Sequence, residues 1–144
     1  MGSMLALNIA DKGFQISVFN RTTAITKKFS KTAGKLSDNI TPCETLHELV
    51  TTIKNPRAII LMVPAGSAVD EQITVLRPLL NPEDIIIDAG NADYNQTNRR
   101  ASEALENGTG FLGIGVSGGE TGARYGPSIM SGGSKQSWER VSHL

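Results

Sequence analysis

The chain has 144 residues, 39% of them hydrophobic, which is enough for one globular domain with a sizeable core but too few for two. Lysine plus arginine and aspartate plus glutamate both number 14, so the net charge is zero and no general attraction to nucleic acid or to an anionic membrane is expected. The single cysteine, Cys43, excludes an internal disulfide, and neither a membrane span nor a charged leader is recognisable, so we expect a reducing, cytoplasmic location.

The first predicted elements are a helix, a strand and two more helices. Apolar residues over 5–10 form a helical stripe that stops at Gly13, a residue suited to the left-handed conformation just past a helix end. Residues 14–19 then alternate between apolar and polar as a half-buried strand does. Two amphipathic helices are predicted next, over 22–32 and 44–54.

A continuous apolar run marks the next strand. Residues 58–63 are bounded by Pro56 and Pro64, which suits a strand buried on both faces of a parallel sheet. The elements predicted after it are a helix over 68–80, a strand over 85–88, a helix over 97–106 and a strand over 111–116. This alternation predicts an α/β fold, Rossmann-like and doubly wound, with a mostly parallel sheet and right-handed crossovers.

The last part of the chain differs in composition. Glycine, serine and proline dominate residues 117–134, and residues 135–141 are predicted to begin a helix. We therefore expect a partial Rossmann-like domain over 1–133, followed by the start of a truncated helix over 134–144.

The turn after the first strand, Asn20-Arg21-Thr22, is a candidate ribose-phosphate site. In open α/β sheets ligands bind beyond the carboxyl ends of strands, and an NAD enzyme usually places an acidic residue at this position. Arg21 instead offers a planar cation to a ribose 2′-phosphate, with donors from Asn20 and Thr22, so NADP is favoured over NAD. Such a turn is also common as a solvated connection in which threonine caps the following helix.

Two later strand ends carry weaker signals. Small residues and a proline at 63–66 would let the backbone approach a flat ligand, but a rigid turn before the next helix fits as well. At 88–91, Asp88 is suited to capping the local turn, and the amide of Asn91 to holding a nicotinamide or a substrate hydroxyl. A sequence of this kind also occurs simply as a turn.

The glycine-rich segment over 115–133 is the most specific motif. Its glycines expose backbone amides and Ser117 adds a hydroxyl, a combination suited to the carboxylate or hydroxyl groups of a small acid. A flexible linker is the alternative, and Tyr125, Ile129 and Met130 argue against it.

Other reactive side chains are given no role. Cys43 precedes a predicted helix without a catalytic histidine motif, and His47 and His143 have no plausible nucleophile or metal cluster beside them. We therefore expect no metal site. The pair Arg99 and Arg100 is interpreted as a solvated helix face, with a phosphate contact left open.

Four motifs together resemble one enzyme family. LALNIADKGF, VFNRTT, DIIIDAGN and GVSGGETGARYGPSIMSGG occur in the order in which they occur in the amino-terminal domain of 6-phosphogluconate dehydrogenases, from about Leu5 to Gly133. Members of that family oxidise 6-phosphogluconate at C3 with hydride transfer to NADP, then release carbon dioxide to give ribulose 5-phosphate. The resemblance implies that 6-phosphogluconate and NADP are the ligands and that the whole enzyme is usually a homodimer.

The resemblance also implies roles for individual residues. The cofactor-binding positions are Asn20, Arg21 and Thr22 at the ribose phosphate, with Val63, Pro64, Ala65 and Asn91 lining the cofactor. The substrate-binding positions are Asn91, Ser117, Gly118 and Gly119. The family's catalytic lysine and glutamate lie on a later helical domain, so no residue of this chain is assigned a catalytic role.

The sequence departs from the family pattern at several points. The family opens with a strand and a glycine-rich turn, of which only Gly2 is matched, so we expect a chain truncated at both ends and a destabilised domain. Pro64 replaces a common lysine, which removes a phosphate-binding charge, while Ala89 and Ser131 are tolerable replacements of glycine and proline. Two alternatives stay open: a 3-hydroxyisobutyrate-type dehydrogenase domain, and a non-catalytic fragment that binds nucleotide or docks onto a relative.

Overall fold

The computed structural model describes residues 1–144. The chain forms two compact units. Unit 1 comprises Met1–Lys54 and Ser117–Pro127, and unit 2 comprises Asn55–Val116 and Ser128–Leu144. No helix is long and apolar enough to cross a lipid bilayer.

The secondary structure alternates between helices and strands along most of the chain. The α-helices are α1 (Gly2–Asp11), α2 (Thr23–Thr32), α3 (Leu46–Thr52), α4 (Ser67–Leu76), α5 (Tyr94–Glu106), α6 (Gly119–Tyr125) and α7 (Lys135–Val141). The strands are β1 (Ile16–Phe19), β2 (Ile40–Cys43), β3 (Ala58–Leu61), β4 (Ile85–Asp88), β5 (Gly110–Ser117) and β6 (Ser128–Gly133). Short 3₁₀ helices occupy Gly34–Asn39 and Arg77–Leu79.

Unit 1 contains a two-stranded parallel sheet. β1 and β2 pair in register from Ile16 opposite Ile40 to Phe19 opposite Cys43. Because the strands are parallel and end level with each other, the turns that follow them lie at the same edge of this sheet. The core of the unit is formed by the buried residues Leu5, Ala6, Ala10, Ile40, Cys43, Leu49, Val50 and Ala123.

Unit 2 contains a four-stranded sheet in the order β3-β4-β5-β6. β3, β4 and β5 are parallel. Gly113 lies beside Gly132 and Gly115 beside Met130, so β6 runs antiparallel to β5. The core of this unit is centred on Ile85, Ile87, Leu112 and Val141.

A buried carboxylate fixes the connection into β4. Asp84 is fully buried, accepts hydrogen bonds from the backbone N–H of Arg57 at 2.6 Å and of Asn81 at 2.8 Å, and pairs with the Arg57 guanidinium at 2.9 Å. Burial opposes ionisation of this carboxyl, but the hydrogen bonds outweigh it, so the pKa of Asp84 lies below its ordinary value. Asp84 therefore stabilises the start of the β3–β4 pair as a carboxylate.

The predicted α/β fold with a mostly parallel sheet is confirmed, and β4 coincides with the strand predicted over 85–88. Gly13 has the expected positive φ, +89°, just beyond α1. The prediction missed β2, α6 and β6. Residues 117–134, for which no helix or strand was predicted, contain a helix and an antiparallel strand. The strands also form two separate hydrogen-bonded sheets rather than one continuous sheet.

Candidate functional site

The turn after β1 is shaped by its own polar side chains. The Asn20 side-chain oxygen accepts a hydrogen bond from the backbone N–H of Thr22 at 2.9 Å, which closes a short turn. Thr22 is the N-cap residue of α2, with extended backbone angles of φ −99° and ψ 95°, but its side chain makes no capping hydrogen bond. The exposed Thr22 hydroxyl is therefore available to a ligand, contrary to the alternative in which it serves as the cap.

Arg21 is an unpaired cation at this turn. Its side chain is exposed and makes neither a hydrogen bond nor an ion pair, whereas Lys27, on the next turn of α2, is held by Glu44 at 2.6 Å. The first turn of α2 contains no acidic residue, so its free backbone N–H groups leave the partial positive charge at the helix end uncompensated. This end of α2 is suited to a phosphate dianion.

A cleft of about 400 Å³ lies beside the same helix, between α2, the end of β2 and the start of α3. Thr26 is one of its lining residues, and its buried hydroxyl has no hydrogen-bond partner. Cys43 also lines it, and burial raises the pKa of that thiol despite a hydrogen bond with Thr52 that acts in the opposite direction. A thiol with a raised pKa is a poor nucleophile at neutral pH.

The two loops that follow β3 and β4 contact each other within unit 2. The Ala89 backbone N–H donates to the Leu61 carbonyl at 2.9 Å. A Cβ atom placed on Gly90 would lie 3.0 Å from the Val63 carbonyl oxygen and 3.1 Å from the Asp88 carboxylate, so a larger residue there would crowd this approach. The loops over 63–66 and 88–91 therefore form one surface at the carboxyl edge of the sheet.

Most of the residues that the sequence assigned to these loops are accessible. Pro64, Ala65 and Asn91 are exposed and Val63 is half-buried. Gly66 has φ +100° and is the N-cap residue of α4, a conformation that favours glycine. The loops offer a backbone surface and one amide side chain to a ligand, with no charged side chain among these residues.

Arg100 connects both loops to α4. Its side chain is only 1% exposed. Its Nε donates to Asp70 at 2.8 Å, its Nη1 contacts Asp88 at 3.2 Å, and its Nη2 donates to the Gly66 carbonyl oxygen at 3.0 Å and to Asp70 at 3.2 Å. The interpretation of Arg99 and Arg100 as a solvated helix face is therefore wrong for Arg100, because three oxygen-bearing partners compensate its burial. Arg99 is 44% exposed and does lie at the surface.

The same cluster controls the ionisation of Asp70. Its hydrogen bond from Arg100, opposed by burial and assisted by Arg99, lowers the pKa of Asp70 to about 2. Asp70 is consequently a carboxylate at neutral pH and is held by two guanidinium groups. A sequence signal for this cluster existed, since Arg100 and the buried Ala104 lie four residues apart on one face of α5.

The glycine-rich turn after β5 begins α6 in unit 1. Ser117, Gly118 and Gly119 are all exposed. Gly118 has φ +115°, and a Cβ atom there would lie 2.9 Å from the Cα of Gly122. The Ala123 carbonyl oxygen accepts a hydrogen bond from the Asn8 side chain at 3.1 Å. The turn is therefore a packed part of unit 1 and not a flexible linker.

The structure places the candidate residues in three exposed turns. Asn20, Arg21 and Thr22 lie in one turn of unit 1, Ser117, Gly118 and Gly119 lie in another, and Val63, Pro64, Ala65 and Asn91 lie in the paired loops of unit 2. No group of three or more His, Cys, Asp or Glu side chains is arranged to hold a metal ion. His47 and His143 are exposed at the surface.

Comparison with known proteins identifies relatives across the whole chain. A family model described as the NAD binding domain of 6-phosphogluconate dehydrogenase matches residues 1–144. The chain is 48% identical to 6-phosphogluconate dehydrogenase, decarboxylating 2, chloroplastic, of Spinacia oleracea, and 47% identical to 6-phosphogluconate dehydrogenase, decarboxylating, of Homo sapiens. In both cases the match covers 100% of this chain, but only 27% and 30% of the respective relative.

Solved structures give the same result. Plasmodium falciparum 6-phosphogluconate dehydrogenase, described in its apo form, with its cofactor NADP⁺ and with its substrate 6-phosphogluconate, matches 99% of this chain and 31% of its own, with a TM-score of 0.93 and 43% identity. Mycobacterium tuberculosis 3-hydroxyisobutyrate dehydrogenase has a TM-score of 0.81 at 21% identity and shares the fold. The family predicted from the four sequence motifs is thus confirmed, and the chain belongs to the family of NAD-binding domains of 6-phosphogluconate dehydrogenase.

Proposed function

We propose that this chain is the NADP-binding part of a 6-phosphogluconate dehydrogenase. The observation that carries the proposal is the exposed, unpaired Arg21 at the start of α2, where no acidic residue stands to bind a ribose 2′-hydroxyl. Arg21 pairs with the ribose 2′-phosphate, while the Asn20 and Thr22 side chains complete its hydrogen bonds.

The loops of unit 2 carry the other residues that the family resemblance assigns to the cofactor. The exposed backbone at Pro64 and Ala65 lets a planar ring system lie close to the chain, and Gly90 keeps the neighbouring loop free of a side chain. Pro64 contributes no charge, so these loops offer a phosphate group only backbone N–H groups.

The substrate of the whole enzyme is 6-phosphogluconate, and the enzyme converts it by oxidative decarboxylation to ribulose 5-phosphate in the pentose phosphate pathway and in gluconate utilisation. NADP supplies the hydride acceptor when bound. The Ser117 hydroxyl and the backbone N–H groups of Gly118 and Gly119 hold the hydroxyl and carboxylate oxygens of the sugar acid. The Asn91 amide donates to the substrate and to the cofactor.

No residue of 1–144 is assigned to proton transfer in the reaction. The family resemblance assigns the base to a lysine and the acid to a glutamate of a later helical domain. We propose that residues 1–133 form the NADP-binding domain and that 134–144 begin the following helical region. On this proposal the isolated chain binds ligands without turnover, its whole enzyme is a cytoplasmic homodimer, and neither nucleic acid nor a membrane is a partner.

A titration of the purified chain with NADP⁺ and with NAD⁺ tests the proposal. We expect NADP⁺ to bind at least about tenfold more tightly, because a charge-assisted pair with the 2′-phosphate contributes about 1.5 kcal/mol or more. Equal affinity for the two dinucleotides, or no binding by a chain that circular dichroism shows to be folded, would contradict it.

A further inference from the structure

We propose that Arg100 is the positioning residue that sets the geometry of the two cofactor loops of unit 2, those over 63–66 and 88–91. This inference rests on the proposed function, because the loops carry the residues assigned to the cofactor. Arg100 itself is buried and is not placed to touch a ligand. Its effect on the cofactor is transmitted through Gly66 and Asp88.

The first step of the argument is that one guanidinium holds both loops. Nη2 donates to the Gly66 carbonyl oxygen at 3.0 Å, and Nη1 lies 3.2 Å from the Asp88 Oδ2 atom. The other Asp88 oxygen, Oδ1, accepts the Gly90 backbone N–H at 3.0 Å. Asp88 thus links Arg100 directly to the backbone of the second loop.

The exposed residues assigned to the cofactor lie between or next to these fixed points. The first loop is anchored at Leu61, whose carbonyl oxygen accepts the Ala89 N–H at 2.9 Å, and again at Gly66. Pro64 and Ala65 lie between these two anchors, and Asn91 directly follows Gly90. A shift of Arg100 therefore moves both sides of the surface on which the cofactor lies.

The planar shape of the arginine side chain is needed for this arrangement. Three nitrogen atoms point to three different residues, and Asp70 on α4 accepts from two of them at 2.8 and 3.2 Å. A lysine carries the same charge on one nitrogen atom and cannot keep these directions simultaneously. The role is therefore geometric and distinct from simple neutralisation of Asp88, which is 1% exposed.

The chain offers a matched control in the neighbouring residue. Arg99 binds the same Asp70 oxygen at 2.8 Å, but its other hydrogen-bond partners are Gln96 and Glu103 on its own helix, and it makes no hydrogen bond to either loop. Replacing Arg99 removes an equivalent side chain from the same carboxylate and leaves the loops anchored.

The experiment uses the full chain and three variants, R100M, R100K and R99M. NADP⁺ dissociation constants are measured by calorimetry in the cold, where circular dichroism confirms equal folded fractions, and exchange of the Gly90 amide is followed by NMR. We expect both Arg100 variants to weaken NADP⁺ binding about tenfold and to accelerate Gly90 exchange, because a small displacement of positioned groups has a large effect. R99M should stay within about twofold of the parent for binding.

Two results would overturn the inference. One is an R100K variant that binds NADP⁺ with the affinity of the parent chain and exchanges the Gly90 amide at the parent rate. In that case only the positive charge of Arg100 would matter. The other is a folded R100M whose NADP⁺ binding and Gly90 exchange are unchanged. If R100M fails to fold, the comparison of R100K with the parent chain decides whether the inference holds. If the parent chain binds no NADP⁺ but Gly90 exchange responds to R100K and not to R99M, Arg100 is upheld as the residue that positions the loops and the proposed cofactor is rejected.

Discussion

Asp88 and Arg100 form a buried ion pair in which the carboxylate Oδ2 lies 3.2 Å from Nη1 and each side chain is 1% exposed. Neither charge can be hydrated at these positions, so each depends on its protein partners. Asp88 uses its second oxygen to hold the Gly90 N–H, and Arg100 uses its other nitrogens on Asp70 and Gly66. Each member of the pair therefore has additional hydrogen bonds that compensate the cost of burial.

Removing Asp88 should be strongly destabilising. Asp88→Ala leaves the buried Nη1 atom of Arg100 without a partner and frees the Gly90 N–H, and we expect the free energy of unfolding to fall by about 3 kcal/mol. Urea unfolding measures this loss. Glu71→Ala removes an exposed carboxylate from α4 and should change stability by less than about 0.5 kcal/mol. Equal losses for the two variants would show that the buried pair contributes nothing specific.

Replacing Arg21 should remove the preference for NADP⁺. In Arg21→Met the exposed cation is absent, so we expect the NADP⁺ dissociation constant to rise about tenfold and the NAD⁺ constant to stay unchanged. Calorimetric titration with both dinucleotides checks this. Lys28→Met removes an exposed positive charge from the next turn of α2 and serves as the control for general electrostatic attraction. A similar loss in both variants would point to overall charge and not to a site at Arg21.

Stability should decrease in acid because of Asp70. Its pKa is lowered to about 2 in the folded chain from an ordinary value of 3.8, so its contribution is fully present above about pH 4 and is lost as the pH falls towards 2. In Asp70→Asn this part of the pH dependence should disappear. Urea unfolding of both proteins across this range measures it, with Asp38→Asn, an exposed carboxylate, as the control. An unchanged slope in Asp70→Asn would refute the assignment.

Adding a methyl group at Gly118 should disturb the turn before α6. Gly118→Ala places a Cβ atom 2.9 Å from the Gly122 Cα atom in a residue with φ +115°, and we expect a loss of about 2 kcal/mol. Gly119→Ala is the matched control, since φ is +61° there and no atom lies within 4 Å of the added Cβ, so its cost should be about 1 kcal/mol. Thermal unfolding ranks the two, and a larger effect at Gly119 would contradict the packing argument.

Sequence reasoning located the candidate turns because of one property of parallel sheets. The ends of strands can be recognised from apolar runs such as 58–63 and 85–88, and ligands bind beyond those ends. It missed β2, where Pro42 and exposed Thr41 leave too little apolar character in four residues, and hence also the cleft beside that strand. β6 was missed because its residues are all exposed and rich in glycine and serine.

The role of Arg100 could not be predicted with the same rules. Charged residues are rarely buried without partners, and the partners here lie 12 positions away at Asp88 and 30 positions away at Asp70. Only the folded arrangement of α4, α5 and β4 brings the three side chains together. The helical spacing to Ala104 indicated a buried face, but the charge of the side chain favoured the opposite interpretation.

The buried position of Cys43 makes the unaltered chain suitable for measuring how each unit opens. The chain contains one cysteine, which is fully buried in unit 1, and one tryptophan, Trp138, which lies on α7 of unit 2 and is 44% exposed. Thiol labelling therefore reports opening of unit 1, while tryptophan fluorescence reports unfolding of unit 2, without an introduced probe. Coincident transitions would indicate that the two units unfold cooperatively, and separate transitions would give each unit its own stability.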